Sequence, residues 1–218
     1  MENRADIAFL FDLDGVIVDS EKIYTGIWRH INEMFPTGVE NFETVIKGTT
    51  LENILGTYYP DPDVRGQVEK ALYEEENRLQ YELMPGAERV LRTLRDKGIP
   101  TALVTSSNGV KMSHLWRQYP DLKELFQVIV TGDDVSASKP DPEGYISAAY
   151  RVGALPPRCA VFEDSVQGVC AGRNAGAYVV GIAGTVEADC LAPYADTVLA
   201  GTDKIDVEAI AEILKHRG

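Results

Sequence analysis

The 218-residue sequence predicts an α/β protein, a doubly wound parallel sheet interrupted by an inserted set of helices. Three observations carry this expectation. Short, fully apolar runs recur along the chain, they alternate with stretches of helical periodicity from residue 86 to the end, and the segment 16–84 lacks that alternation. The first run, Ile7-Ala8-Phe9-Leu10-Phe11, stops abruptly at Asp12-Leu13-Asp14-Gly15, as a strand buried on both faces does. Runs of the same character follow at Thr101–Thr105, Val128–Thr131, Ala160–Phe162 and Tyr178–Ile182, with a weaker one at Thr197–Leu199. Between them, Val90, Leu91 and Leu94 follow Pro85-Gly86, and Tyr145, Ile146 and Ala149 follow Asp141-Pro142, each set at helical spacing. Ile210, Ile213 and Leu214 form a last set of this kind.

Inside the insertion, Ile23, Ile27, Ile31 and Met34 step by four, four and three along one amphipathic helix, and Val64, Val68, Leu72, Leu79 and Leu83 mark another. The second holds seven acids and three bases between Asp61 and Leu83, the composition of a solvated face. The expected division is a sheet domain from 1–15 and 85–218 and a helical domain from 16–84.

Twenty-one Lys and Arg against 34 Asp and Glu leave a net charge of −13, a field that repels polyanions, so no nucleic-acid partner is expected. A small anionic substrate is admitted only where a cation, a lysine and backbone N–H groups overcome that field locally. No run approaches the roughly 18 apolar residues of a membrane span, and Met1-Glu2-Asn3-Arg4-Ala5-Asp6 lacks the features of a secretory signal. The expectation is a cytoplasmic protein without a membrane partner. Cys159, Cys170 and Cys190 show no zinc or disulfide spacing and read as buried free thiols.

The chemistry-bearing residues sit where the apolar runs end. Asp12 and Asp14, spaced i, i+2 after the first run, can converge on one small volume, and two anions there need a cation. Mg²⁺ accepts one or two carboxylates together with phosphate oxygens, which suits this pair. Taken alone, Asp-x-Asp is equally a pair of solvated loop carboxylates or helix caps. The other run ends narrow the choice, because open α/β sheets bind ligands outside the carboxyl ends of their strands. Thr105-Ser106-Ser107-Asn108 offers small donors suited to phosphate oxygens, and Ser138-Lys139-Pro140-Asp141-Pro142 restrains the backbone beside one cation. Glu163-Asp164-Ser165 adds hard oxygen ligands, and Gly168 and Gly172 suit a helix lying close on the sheet.

With these four segments in this order, the chain resembles the haloacid dehalogenase superfamily of phosphotransferases over essentially its whole length. Asp12-Leu13-Asp14-Gly15-Val16-Ile17-Val18-Asp19-Ser20-Glu21 is similar to the opening of the β-phosphoglucomutase-like branch, which contains many sugar-phosphate phosphatases. The resemblance implies a Rossmann-like core with a helical cap at 16–84, Asp12 as nucleophile and Asp14 as general acid and base. It further implies Mg²⁺ held by the Asp12 carboxylate, the Asp14 carbonyl and Asp164, with Glu163 direct or one sphere out. Thr105, Ser106 and Lys139 would bind the transferring phosphoryl group.

The resemblance is incomplete in the insertion. True β-phosphoglucomutases use a cap histidine and a cap arginine where an ungapped alignment places Tyr24 and Leu51, and only Lys47-Gly48 of the cap loop is familiar. Without that arginine a second phosphate loses its anchor, so hydrolysis is expected ahead of mutase activity. Glu21, Tyr24 and Trp28 share one helical stripe and could face substrate, although core packing suits Trp28 equally well. Lys47 could contact a leaving group or stand in solvent; His30 reads as a surface residue, and Trp116 and Tyr119 as packing residues. The expectation is therefore a monomeric Mg²⁺-dependent phosphatase acting on a small phosphorylated metabolite, most simply a sugar phosphate. The alternatives are a sugar phosphomutase and a non-catalytic phosphoacceptor or interaction protein.

Overall fold

The computed structural model describes residues 5–46, 51–76 and 78–217. In chain order the elements are β1 (Ala8–Phe11), α1 (Glu21–Met34), α2 (Phe42–Val45), α3 (Leu51–Tyr58), α4 (Pro62–Glu76), α5 (Ala87–Asp96), β2 (Thr101–Val104), α6 (Gly109–Gln118) and α7 (Pro120–Lys123). They continue with β3 (Val128–Val130), α8 (Glu143–Arg151), β4 (Cys159–Glu163), α9 (Val166–Asn174), β5 (Tyr178–Ile182), α10 (Ala188–Leu191), β6 (Thr197–Leu199) and α11 (Val207–Lys215). All strand pairs are parallel, in the order β3-β2-β1-β4-β5-β6. The order reverses between β1 and β4, the point at which doubly wound sheets open a ligand crevice.

Both sheet faces are buried, which is why the strands read as continuous apolar runs rather than alternating ones. Ala8 and Leu10 of β1 pack with Ala102, Val104 and Val161 against Tyr145, Ala148 and Ala149 of α8. Phe9 and Phe11 point to the opposite face and stack on Phe162, with ring centroids 5.4 and 4.6 Å away.

The chain divides into two compact units, 1–19 with 82–218 and 20–81. Residues 16–19 thus lie with the sheet rather than with the inserted helices, a correction of four residues to the expected boundary, and 82–84 likewise. Backbone bonding explains it. Ile17 and Val18 N–H groups return to Leu13 O, Met84 N–H donates to Ile17 O at 2.9 Å, and Val18 bridges Leu83, while Val16, Ile17 and Val18 are buried. The helical unit has its own core of Ile27, Trp28, Ile31, Phe42, Leu55 and Val68. Helix α4 ends at Glu76, so Leu79 and Leu83 fall outside the helix that their spacing predicts. The chain turns there through Arg78 N–H to Glu75 O and Leu79 N–H to Glu76 O.

The three cysteines are free, but only Cys159 is buried; Cys170 is intermediate and Cys190 exposed, because the one-turn helix α10 turns Leu191 inward instead. Burial pushes the Cys159 thiol up to about 12. Among the described residues, no helix is long and apolar enough to cross a membrane.

Helix α9 lies close on the sheet at Gly172, where a Cβ would meet Val161 Cγ1 at 2.8 Å and Val179 Cγ2 at 3.1 Å. Gly172→Val is expected to cost about 1–3 kcal/mol of stability through overpacking. Urea denaturation checks this: a lower midpoint is expected, and an unchanged midpoint would mean that α9 can move away freely.

Candidate active site

Asp12 directly follows β1, and its N–H donates to Phe162 O at 3.0 Å, extending the ladder by one rung. The register pairs Phe11 with Phe162, so Asp12 comes level with Glu163, the last residue of β4, and Asp164 follows. On the other side Phe11 pairs with Leu103, which brings Val104 and Thr105 alongside. Two parallel strands of equal reach thereby deliver three carboxylates to one end of the sheet.

Lys139 binds them together. It arrives on the loop before α8, which the Glu143 carboxylate gathers by accepting the Ser136 and Ala137 N–H groups at 2.9 Å each. The Lys139 Nζ donates to Asp12 Oδ1 at 2.5 Å, Glu163 Oε1 at 2.6 Å and Val104 O at 3.1 Å, which engages all three of its protons. Glu163 is fixed from several sides. Its Oε1 also accepts from Tyr145 Oη at 2.7 Å, and its Oε2 accepts from Asp164 N–H and Ser165 Oγ at 3.2 Å each. Burial, followed by the Glu163 carboxylate, holds the Tyr145 phenol well above its usual range, so it stays a donor.

Glycines make the approach possible. Gly15 has φ +71°, and a Cβ there would run into the Asp164 carboxylate. At Gly168 a Cβ would collide with the Glu163 carboxylate. The Thr185 hydroxyl donates to Asp164 Oδ2.

Asp12, Glu163 and Asp164 are all buried, and one oxygen from each lies within 4.8 Å of the others. Burial pushes the Asp12 carboxyl up to about 7; Lys139 opposes the rise, and Glu163 and Asp14 add to it. Asp164 is pushed up to about 8 by burial first and by Asp12 and Glu163 next. For Lys139, burial alone would lower the ammonium, but Asp12 and Glu163 carry it above its usual range. One ammonium among three buried carboxylates leaves a negative excess in a poorly solvated place, which a hard divalent cation would satisfy with oxygen ligands. The residues present therefore fit such a cation.

Asp14 stands apart from this cluster and is partly exposed. Its carboxylate accepts from Lys111 Nζ at 2.8 and 2.9 Å and from Ser107 Oγ at 3.2 Å. Thr105 is buried and its Oγ1 accepts from Ser107 N–H at 3.0 Å, whereas Ser106 is exposed. Thr105, Ser106 and Lys139 line one cavity of 200 Å³ with Thr131, Ser138 and Tyr145. Asp12 and Asp14 are not among its walls. Lys139 is common to the cavity and the carboxylate cluster.

The residues singled out in the insertion behave differently. Tyr24 Oη donates to Glu76 Oε1 at 2.9 Å and so ties α1 to α4. Trp28 is buried edge-on to Phe42, with centroids 6.0 Å apart, which answers its two readings in favour of packing. His30 is exposed beside Glu33, and Trp116 lies 6.5 Å from the Phe126 ring. Lys47 lies outside the described residues, as does the Glu21 side chain. Sequence reasoning missed Lys111, Tyr145 as a polar group, Ser107 as a partner of Asp14, and Thr185. The one available signal was that Ser107 and Lys111 flank the entry to a helix directly after a strand end.

The parallel sheet thus assembles buried carboxylates and a lysine at its switch point, where open α/β sheets bind their ligands. Residues 9–182 match the haloacid dehalogenase-like hydrolases, and the chain belongs to that family. It is 33% identical over 176 residues to the phosphorylated carbohydrates phosphatase of Thermotoga maritima, across 78% of this chain and 81% of that one. It is 28% identical over 189 residues to the β-phosphoglucomutase of Bacillus subtilis, across 80% and 82% of the two. Among solved structures, a hydrolase of this family from Deinococcus radiodurans R1 with bound phosphate and sodium superposes with a TM-score of 0.78 at 27% identity, covering 98% of each chain.

Raised carboxyl values give the stability a definite sign with pH. Between the unfolded value of 3.8 and the folded values of about 7 and 8, the folded chain holds more protons than the unfolded one, so stability falls as pH rises. A divalent cation competes with those same protons. In thermal denaturation the cation-free protein is expected to melt lower at pH 8.5 than at pH 6, and added Mg²⁺ to raise the midpoint more at the higher pH. A Mg²⁺ shift that is independent of pH would contradict this.

Proposed function

We infer that this chain is a Mg²⁺-dependent phosphatase that hydrolyses a small phosphomonoester, a sugar phosphate by preference, through an aspartyl-phosphate on Asp12. The observation that carries the reading is the Asp12 carboxylate, ion-paired to Lys139 beside Asp164 at the carboxyl edge of the sheet, in a chain that belongs to a hydrolase family. The name of the Thermotoga relative supports the choice of phosphorylated carbohydrates.

An oxygen of Asp12 attacks phosphorus, the bond from phosphorus to the leaving oxygen breaks, and Asp14 gives that oxygen a proton. Asp14 then takes a proton from water as the water oxygen attacks the phosphorus of the aspartyl-phosphate, which releases inorganic phosphate and restores Asp12. A carboxylate approaching a phosphate dianion meets like-charge repulsion, and the Lys139 ammonium, paired with Asp12 and lining the cavity beside Thr105 and Ser106, would offset part of it through its charge. Asp12, Asp164 and the Asp14 carbonyl would hold Mg²⁺, which when bound screens the remaining negative charge. Glu163, with protein donors on both of its oxygens, acts chiefly by fixing Lys139. Thr105 and Ser106 would bind phosphoryl oxygens. The helical unit would serve as the cap that selects the substrate.

The test is phosphate release with Mg²⁺ over a panel of sugar phosphates, nucleotides and pyrophosphate, with isomerisation of β-glucose 1-phosphate followed in parallel. Release is expected from at least one sugar phosphate, abolished by Asp12→Asn and slowed by about 10²–10⁴-fold by Asp14→Asn, the usual worth of general acid–base help. Release that survives Asp12→Asn would overturn the nucleophile, and isomerisation without release would put a phosphomutase in place of the phosphatase.

A further inference from the structure

Thr185 has no part in the steps above, yet its hydroxyl reaches one of the three clustered carboxylates. It lies on the loop between β5 and α10, and the backbone sets it there. The β4–β5 register pairs Glu163 with Gly181, so Asp164 comes level with Ile182. Ala183 N–H donates to Leu199 O at 2.8 Å, one rung beyond the β5–β6 pairing, and Gly184 N–H donates to Val186 O at 3.2 Å. Gly184 takes φ +147°, a conformation that a side chain would disfavour. From this turn the half-buried Thr185 donates its hydroxyl proton to Asp164 Oδ2.

The donors divide the oxygens of the cluster in a consistent way. Lys139 occupies Asp12 Oδ1, Lys139 and Tyr145 share Glu163 Oε1, and Asp164 N–H and Ser165 Oγ share Glu163 Oε2. Thr185 occupies Asp164 Oδ2. Among the described residues, no protein donor reaches Asp12 Oδ2 or Asp164 Oδ1. Each aspartate thus keeps one oxygen for a cation, and Glu163 keeps neither. At Asp12 an ion pair imposes this, whereas at Asp164 a single neutral hydroxyl does. The division matters because hard cations use carboxylates differently. Ca²⁺ gathers roughly six to eight oxygens and readily takes both from one carboxylate, while the smaller Mg²⁺ demands a near-ideal octahedron and keeps several waters.

We propose that Thr185 is a positioning residue for Asp164 that makes the site select Mg²⁺ over Ca²⁺: its hydroxyl fixes the rotation of the carboxylate and confines it to one-oxygen coordination. The inference rests on the reading of Asp12 and Asp164 as Mg²⁺ ligands. Partners that orient a metal-ligating side chain are typically worth about 10–100-fold in metal affinity.

The experiment measures dissociation constants for Mg²⁺ and for Ca²⁺ in wild type, Thr185→Val, Thr185→Ala and Thr185→Ser, from the rise of the thermal midpoint with cation concentration at one fixed pH. No substrate is needed, and the cation-free midpoint separately reports any loss of stability. Wild type is expected to bind Mg²⁺ the more tightly. Thr185→Val should weaken Mg²⁺ by about tenfold and Ca²⁺ by less than about threefold, since a released carboxylate can still give Ca²⁺ both oxygens. Thr185→Ser should recover most of the Mg²⁺ affinity. Thr185→Ala also frees Oδ2, and it carries the comparison should Thr185→Val fail to fold. Equal weakening of the two cations would overturn the inference in favour of a hydroxyl that only braces the loop. Unchanged affinities, with or without a lower cation-free midpoint, would overturn it too, as would a wild type that binds Ca²⁺ as tightly as Mg²⁺. A wild type whose midpoint responds to neither cation would overturn the Mg²⁺ reading itself, and this inference with it.

Discussion

Placing three carboxylates and one ammonium side by side, away from water, is the constraint on which the rest of the sheet unit depends. Desolvating such charges costs several kcal/mol each, and it is tolerated only where every partner is held in good geometry. The structure meets that demand with backbone rather than with flexible side-chain reach. The register of β1 against β4 sets Asp12 level with Glu163, Gly15 and Gly168 remove the Cβ atoms that would collide with Asp164 and Glu163, and Tyr145 supplies a neutral donor from α8. The rings of Phe9 and Phe11 stack on Phe162 across the same pair of strands.

The same arrangement resolves a conflict in the overall charge. At −13 the chain repels an anionic substrate at long range, yet screening confines that field to roughly 8 Å at physiological ionic strength. Within that distance the sheet end presents Lys139, Lys111 and the donors of the β2–α6 loop. Excess negative charge in the Asp12, Glu163 and Asp164 cluster then becomes useful, since it makes a place for a divalent cation instead of a free carboxylate that would repel phosphate. The two lysines divide the work by position. Lys139 is bound to the buried carboxylates, and Lys111 to the partly exposed Asp14.

Much of this was legible in the sequence because burial on both faces writes parallel strands as apolar runs, and because each run stops where its chemistry starts. The ends of β1, β2 and β4 were read within a residue or two for that reason. Periodicity was less informative where helices leave a solvated face: the spacing of Leu79 and Leu83 continued the pattern of α4, although the chain had already turned and Leu83 had joined Val18. Residues 16–19 likewise follow the first strand into the sheet unit through backbone bonds that no side-chain pattern reports. Lys111 was invisible for a different reason, since its pairing with Asp14 spans 97 residues and depends on the side chain folding back against local helix preference. Tyr145 was read as one more apolar residue, because sequence spacing reports which face a side chain occupies and not where its hydroxyl ends.

The central claim is that the buried Asp12 carboxylate takes the phosphoryl group. It is tested most directly by mixing Asp14→Asn protein with p-nitrophenyl phosphate and Mg²⁺, quenching in acid and mapping the phosphoryl group by peptide mass spectrometry. An ester that needs no proton to depart should load Asp12, and the loss of the base should leave the aspartyl-phosphate waiting for water. A phosphoryl group on the peptide that carries Asp12 is the predicted result. A burst of nitrophenol with the phosphoryl group on another residue, or with none on the protein, would contradict it.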